Sequence, residues 1–441
     1  MSAPLYDALR AFADTTPDRY HMPGHHGAPL PVPEFRGFSE LDFTELAPTG
    51  DLYRPGGPIE EAERLWASVF YMEHCLFLTG GSTQGLLSAL TLACPPGSAI
   101  LVDRGCHRAV YHAMALLDLR PVYLPRPWLE RGGVTGPIDP TSVENLLKYH
   151  PEIKTVCITS PTYYGVLSDL REISQVVHTY GGKLVVDGAH GAHLPFLGEN
   201  PYPYADLAVT SAHKTLPAPG QTALLFSGPD FAMDDLRRAG KIYGSSSPSY
   251  PLMAALDLCR DYMQREGAAA YTKAVLAVRE LRRRFDALTE EDAALDPCRF
   301  VWKVMDGPTS SRRLEKMGIY PEMEDAGHVV FTLTCADGAE KLQRLVHALE
   351  KLSDEPISRK EWTIPSLPQK FPCQERTPRE ALFAVHRSVA LEDSEGEISA
   401  EQIAPYPPGI PVIAPGERID KKHLSYLSQV GYNMRERITI L

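Results

Sequence analysis

With 441 residues, 44% of them hydrophobic and 23% charged, the chain is too long for one small core and suits two or three packed units. A net charge of −12 excludes the footprint of a nucleic-acid binder and is compatible with a cationic substrate as well as with plain solubility. The eight cysteines form no CxxC pair, the pattern of reduced thiols. The N-terminus has no basic segment leading into an apolar one, and no apolar run approaches the roughly 20 residues of a membrane helix. A cytoplasmic location is the expectation.

Residues 5–16 pattern as a short amphipathic helix. HMPGHHGAPLPVPEF, from His21, is too rich in Pro and Gly for regular structure. At residue 58 the texture changes. PIEEAERLWASVF places Pro at a helix start and acids in its first turn, and EHCLFLT reads as a strand. Strands and helices then alternate: GGSTQGLLSALTLA a turn and helix, AILVD a strand, HRAVYHAMALL a helix, PVYL a strand, SVENLLKYH a helix. KTVCITS, KLVVD, DLAVTS and TALLFS follow as strands, the first two separated by the helix SDLREISQVVHTY. Such alternation predicts an α/β fold with a mostly parallel sheet covered on both faces and right-handed crossovers. Residues 251–290 read as helical throughout. A second unit then mixes the strand HVVFTLT with the helix GAEKLQRLVHALEKL, and runs through IPSLPQKFP and PYPPGIPVIAPGE to a last helix. The expected division is an N-terminal arm at 1–50, a large domain at 51–290 and an α+β C-terminal domain at 291–441.

Ligands of open parallel sheets lie at the carboxyl ends of the strands, and four candidates sit there. Gly81, Ser82 and Thr83 belong to GGST, where backbone N–H groups, hydroxyls and a helix N-terminus suit a phosphate. A tight strand-to-helix connection would look the same. Asp187 ends KLVVD; a carboxylate there can hold a pyridinium N–H, or simply cap a helix. Lys214, in TSAHKT, is flanked by Ser211 and His213, both able to donate to a phosphate. A lysine among such groups becomes a nucleophile for an aldehyde. A lone lysine would be an ordinary surface residue. Phosphate loop, Asp and Lys in this chain order form the pattern of a pyridoxal 5'-phosphate site, with Lys214 holding the cofactor as a Schiff base. His107, in LVDRGCHRAVYH, could stack on the cofactor face or only cap a helix.

These residues belong to a wider pattern. The chain resembles the prokaryotic Orn/Lys/Arg decarboxylases of fold type I, in a short form without the N-terminal wing domain, over nearly its whole length. The resemblance rests on HMPGH at 21–25, GGST at 80–83, DRGCHRAVYH at 103–112, SPTYYGV at 160–166 and VDGAHGAH at 186–193. It continues through TSAHKT at 210–215, SSSPSYPLMAALD at 245–257, and PYPPGIP with APGE at 405–417. It implies an aspartate aminotransferase-like large domain and a smaller α+β domain. It also implies that Lys214 bonds the cofactor, Asp187 pairs with its pyridine nitrogen and His107 stacks on its ring. Ser82, Thr83, Ser211 and His213 would hold the phosphate. Ala189 and His190 would lie near the ring, with His190 a proton donor or a neighbour of the substrate carboxylate. Ser246 and Ser247 would reach the phosphate of a neighbouring subunit's cofactor, implying a homodimer with shared sites. The implied reaction is α-decarboxylation of arginine, lysine or ornithine to a polyamine-type amine.

Departures from the family pattern fall at His26, at Tyr53 and Arg54, at Gly188, where the family often carries Glu, and in the phosphate turn, which is GGST rather than GTS. They bear on substrate identity. A cationic substrate needs an acidic partner; Glu322, Glu324, Asp325 and Glu417 are candidates, though each would ordinarily be a solvated acid. Rival readings are another pyridoxal-phosphate reaction (aminotransferase, aldolase or eliminating lyase), a decarboxylase for a non-standard amino acid, a metal hydrolase built on His21, His25, His26, His190 and His193, and a cofactor-free interaction protein.

Overall fold

Apolar runs of four or five residues become strands where the alternation places them. In chain order they are β1 His74–Leu78, β2 Ala99–Asp103, β3 Arg120–Leu124, β4 Thr155–Thr159, β5 Lys183–Asp187, β6 Leu207–Thr210 and β7 Ala223–Ser227. The helices among and around them are α1 Pro4–Asp14, α2 Gly57–Phe70, α3 Gly81–Ala93, α4 Arg108–Leu116, α5 Pro140–Tyr149, α6 Leu170–Thr179, α7 Ala212–Thr215, α8 Met233–Tyr243, α9 Tyr250–Tyr262 and α10 Ala268–Arg284. The computed structural model describes residues 3–28, 39–354, 368, 370–405 and 411–441. Most of PYPPGIP, much of IPSLPQKFP and the PLPVPEF stretch lie outside the described residues.

The backbone divides into two compact units. One comprises Met1–Ala93 with Leu184–Ala270, the other Cys94–Lys183 with Tyr271–Leu441. In the first, the strands lie in the order β1, β7, β6, β5. β5 and β6 are parallel, with Asp187 opposite Val209, whereas β7 runs antiparallel to both β1 and β6. The apolar residues of these strands are buried on both faces, as parallel sheets require. Helix α3 sits close on this ladder because residue 85 is Gly; a Cβ there would fall 2.6 Å from a Val209 methyl and 2.7 Å from one of Leu78. Helix α9 gathers the rest of the unit. Asp257 Oδ2 accepts the N–H groups of Leu5 and Tyr6 at 2.8 and 3.2 Å, capping α1 where Ala3 offers no capping side chain. The Trp66 indole donates to Leu256 O at 3.1 Å, and the Tyr250 hydroxyl to Gly50 O at 2.5 Å.

In the second unit β2 pairs in parallel with β3 and with β4. Asp139 caps α5 and Asp169 caps α6. A smaller antiparallel sheet follows, in which strand Arg299–Lys303 pairs with His328–Thr332 and that with Met323–Glu324. Its inner face joins the core of Val134, Tyr164, Val166, Leu288, Val301 and Val330. Near the C-terminus Arg387–Ala390 and Arg437–Ile440 form a two-stranded ladder over a separate apolar cluster that includes Leu391, Ile403, Ile413 and Leu427. The helical run expected to reach residue 290 is interrupted by a wider turn at Met263–Gly267 and ends at Arg284. Beyond it the Leu288 N–H turns back onto Val301 O at 3.0 Å, so tertiary pairing overrides local helix propensity. All eight cysteines are thiols. Among the described residues no helix is long and apolar enough to cross a membrane.

Candidate active site

The carboxyl ends of β5 and β6, both in the first unit, carry three of the candidates. Asp187 is the last residue of β5 and is buried. Its Oδ1 accepts the Ala189 N–H at 3.1 Å, and the Gly188 N–H donates to Val209 O at 2.8 Å, fixing the turn after the strand. Gly188 has a steric cause. A Cβ there would lie 2.5 Å from Tyr202 Cε1 and 2.9 Å from its Cζ, and the Tyr202 hydroxyl donates to Gly188 O at 3.4 Å. Tyr202 is fully buried and stacks on Phe70 at 5.5 Å between ring centres. The space a side chain at 188 would claim is thus already occupied.

His190 follows, buried, with Nε2 3.3 Å from Lys214 Nζ. Lys214 lies on α7, a single turn that begins at the end of β6 and is stopped by Leu216 and Pro217. The Lys214 N–H reaches back to Ser211 O at 3.4 Å. His213 beside it turns away: its Nδ1 donates to Thr222 O at 2.9 Å. In the neutral ring this leaves Nε2 an acceptor, so His213 can donate to a phosphate only when doubly protonated.

The GGST turn belongs to the same unit. Gly81 takes φ +71°, a conformation glycine adopts without strain. Its N–H donates to Gln221 O at 2.8 Å, and that of Gly80 to Gln84 Oε1 at 3.0 Å. The glycines therefore shape the turn, while the first turn of α3 presents N–H groups that have no partner within the helix. The Ser82 hydroxyl is hydrogen-bonded to that of Ser211. Two oxygens from the phosphate-loop and lysine motifs thus meet beside the helix N-terminus, and Thr83 is exposed next to them. Ser246 and Ser247 are exposed in the segment between α8 and α9, where the Ser247 N–H donates to Ser245 Oγ at 3.1 Å.

His107 lies in the second unit, where it ends the loop from β2 and caps α4. Its Nδ1 accepts the Ala109 N–H at 3.2 Å, so a neutral ring carries its proton on Nε2. The capping reading of His107 is therefore correct, and it is compatible with a ring half exposed for stacking. Asp103, at the end of β2, is buried and paired with Arg126, Nη2 to Oδ2 at 2.6 Å. Arg104 is buried against Glu417.

Two acids weighed as partners for a cationic substrate are thereby excluded. Glu417 has no exposed surface and both its oxygens are bonded to Arg104. Asp325 accepts from the Tyr164 hydroxyl at 2.5 Å, from the N–H groups of Gly327 and His328 at 2.7 Å, and from His328 Nδ1 at 3.0 Å. Burial alone would raise the Asp325 pKa, but the bond and charge of His328, with the Tyr164 and Gly327 donors, lower it below the usual carboxylate value. Glu322 is exposed, and Glu324 faces Ser311 at 3.2 Å.

The histidines of HMPGHH do not converge as metal ligands would. His21 Nδ1 faces Met22 O at 2.6 Å, His25 Nε2 faces Asp42 at 3.2 Å, and His26 is exposed at φ +51°. Arg54 is exposed and paired with Asp51. Tyr53 is half-buried and meets the Gln84 amide at 3.4 Å; its hydroxyl pKa is raised, burial being the main cause. Tyr202, Gln84, Arg104 and Arg126 escape sequence reasoning. For Tyr202 a signal existed: Gly188, a departure from the pattern the chain resembles, asks what fills the space.

Comparison with known proteins gives the family. The family model described as Orn/Lys/Arg decarboxylase, major domain, matches residues 3–309, and that for the C-terminal domain of the same family matches residues 365–436. The chain is 34% identical to the uncharacterized protein YaaO of Bacillus subtilis, over 98% of this chain and 94% of that one. It is 27% identical to an arginine decarboxylase of the same organism, over 96% and 92%. Among solved structures, the lysine decarboxylase LdcF of Francisella novicida superposes with a TM-score of 0.84 at 20% identity, covering 100% of this chain and 81% of that one, a likeness of fold.

Proposed function

The chain belongs to the Orn/Lys/Arg decarboxylase family, whose members are pyridoxal-phosphate enzymes, and from that premise we propose that it removes the α-carboxylate of arginine, lysine or ornithine as CO2. Arginine is the first substrate to test, because relatives at 27% and 28% identity are named arginine decarboxylases. The observation that carries the reading is the grouping, within one unit, of buried Asp187, of Lys214 with His190 at 3.3 Å, and of the Ser82–Ser211 hydroxyl pair at the N-terminus of α3.

These residues fit the cofactor. Asp187 would hold the pyridine nitrogen in its protonated form, since a buried carboxylate favours a facing positive charge. Lys214 would bind the aldehyde, and the first turn of α3 with Ser82, Thr83 and Ser211 would take the phosphate. His213, whose Nδ1 is taken by Thr222 O, would join them through Nε2. When bound, the cofactor supplies an electron sink for the pair left by the departing carboxylate. His190 contacts the Lys214 amine, and so can orient it and exchange a proton with it. The resemblance assigns His107 to the cofactor face, and Ser246 and Ser247 to a neighbouring subunit's phosphate. A cytoplasmic homodimer making a polyamine-type product completes the proposal.

The test is to load purified protein with pyridoxal phosphate, offer a panel of L-amino acids, and measure CO2 and amine by mass spectrometry. Agmatine, cadaverine or putrescine appears, and Lys214→Ala abolishes it. Bound cofactor with no CO2 from any amino acid refutes the proposal and points to another reaction at the same residues.

A further inference from the structure

Two buried ion pairs hold the last residue of β2 and the first residue of the loop that ends in His107. Asp103 takes Arg126 and also accepts the Gly105 N–H at 2.8 Å. Arg104 gives its guanidinium to Glu417 in a two-pronged contact, Nη1 to Oε1 at 2.6 Å and Nη2 to Oε2 at 2.8 Å. Its Nε donates to Pro411 O at 3.1 Å and Nη2 also to Val412 O at 2.9 Å. The guanidinium carbon lies 4.5 Å from the ring centre of Tyr123 and 4.9 Å from that of Phe371. Glu417 in turn accepts the Ala414 N–H at 2.7 Å. The two side chains are 5% and 0% exposed.

An ion pair this buried adds little net stability, because desolvating two charges offsets their attraction. What it supplies is geometry: parallel N–H···O bonds fix two planar groups in one relation. Arg104 lies in the turn closed by the Cys106 N–H on Asp103 O at 3.0 Å, three residues before His107. Its partners, residues 411–417, fall in the segment matched by the C-terminal domain model. We infer that Arg104 and Glu417 are a positioning pair through which the C-terminal domain seats His107 for the cofactor. The inference rests on the proposed stacking role of His107; neither Arg104 nor Glu417 touches reacting atoms in it.

A mutant cycle on the full-length apoenzyme tests this, read by the pyridoxal-phosphate Kd and by the visible circular dichroism of the bound cofactor. Glu417→Gln, and the apolar pair Arg104→Met with Glu417→Leu, are each made with His107 intact and with His107→Ala. Either change raises Kd about tenfold and shrinks the dichroic band when His107 is present, and alters Kd less than about twofold when it is absent. The apolar pair keeps its thermal midpoint, so the loss is not unfolding. Should it fail to fold, Arg104→Lys, which keeps the charge and loses the two-pronged contact, takes its place. Equal losses in both His107 backgrounds, or no loss in a folded variant, overturn the inference while leaving the role of His107 standing. His107→Ala alone leaving Kd and dichroism unchanged overturns that role, and the inference with it.

Discussion

Glu63 is a carboxyl buried with half its hydrogen-bonding capacity unused. It lies on α2, and its Oε1 accepts the Phe77 N–H at 2.9 Å while Oε2 has no hydrogen-bond partner. Burial, opposed by that bond and by the charge of Arg237, raises its pKa to about 8. The carboxyl is therefore neutral in the folded state at neutral pH and charged in the unfolded one. Stability from this group is greatest below the unfolded value of about 4.3 and falls as pH rises toward 8. Glu63→Gln, an uncharged mimic of the acid, removes that slope. Denaturant midpoints at pH 5 and pH 8 should show the wild type losing about 1–3 kcal/mol relative to the variant over that interval. Gly188 shows the complementary case. In sequence it is only a departure from the family; in the fold it is the consequence of a tyrosine packed where a Cβ would stand.

Among the elements, α1 depends on a partner far along the chain. Leu5 and Tyr6, 252 and 251 residues from Asp257, give their N–H groups to its Oδ2, and Arg260 donates to its Oδ1 at 3.1 Å. The Asp257 pKa is raised because burial outweighs these donors. Asp257→Ala leaves the two amides without their acceptor and should cost about 3–5 kcal/mol. Faster amide exchange confined to α1 at lesser loss of global stability is the expected signature, read by hydrogen exchange with mass spectrometry. The helix was legible from its amphipathic pattern, but its cap was not, because the capping residue is on α9 and not next to it in sequence. Likewise strand Arg299–Lys303 has an apolar run of only three residues, Phe300–Trp302, between two cations, too short to tell strand from helix by period, and is defined by pairing with His328–Thr332.

For the molecule as a whole, acid sensitivity should come in part from Asp325 in the second unit. Its pKa is lowered, so its contribution is complete above the ordinary carboxylate value of about 4 and is lost as pH falls through the folded value. Asp325→Asn should flatten the acid limb of the stability curve below about pH 4, and lower stability at pH 7 by about 1–3 kcal/mol. Matching acid limbs in variant and wild type would show that the Tyr164–Asp325–His328 network does not carry this dependence.

By itself the sequence determined the alternation of strands and helices, the strand ends at which Asp187 and Lys214 fall, and the family. Periodicity, glycine turns and short motifs are local properties that survive without coordinates. Only the tertiary structure decided which polar groups meet. Ser82 finds Ser211 129 residues away, and Arg104 finds Glu417 313 residues away. It also removed Asp325 and Glu417 from the acids open to a cationic substrate, since a carboxylate whose oxygens are already taken by internal donors has no bond left to offer. Such pairings are set by chain crossings that bring distant segments together, and no window of sequence contains both partners.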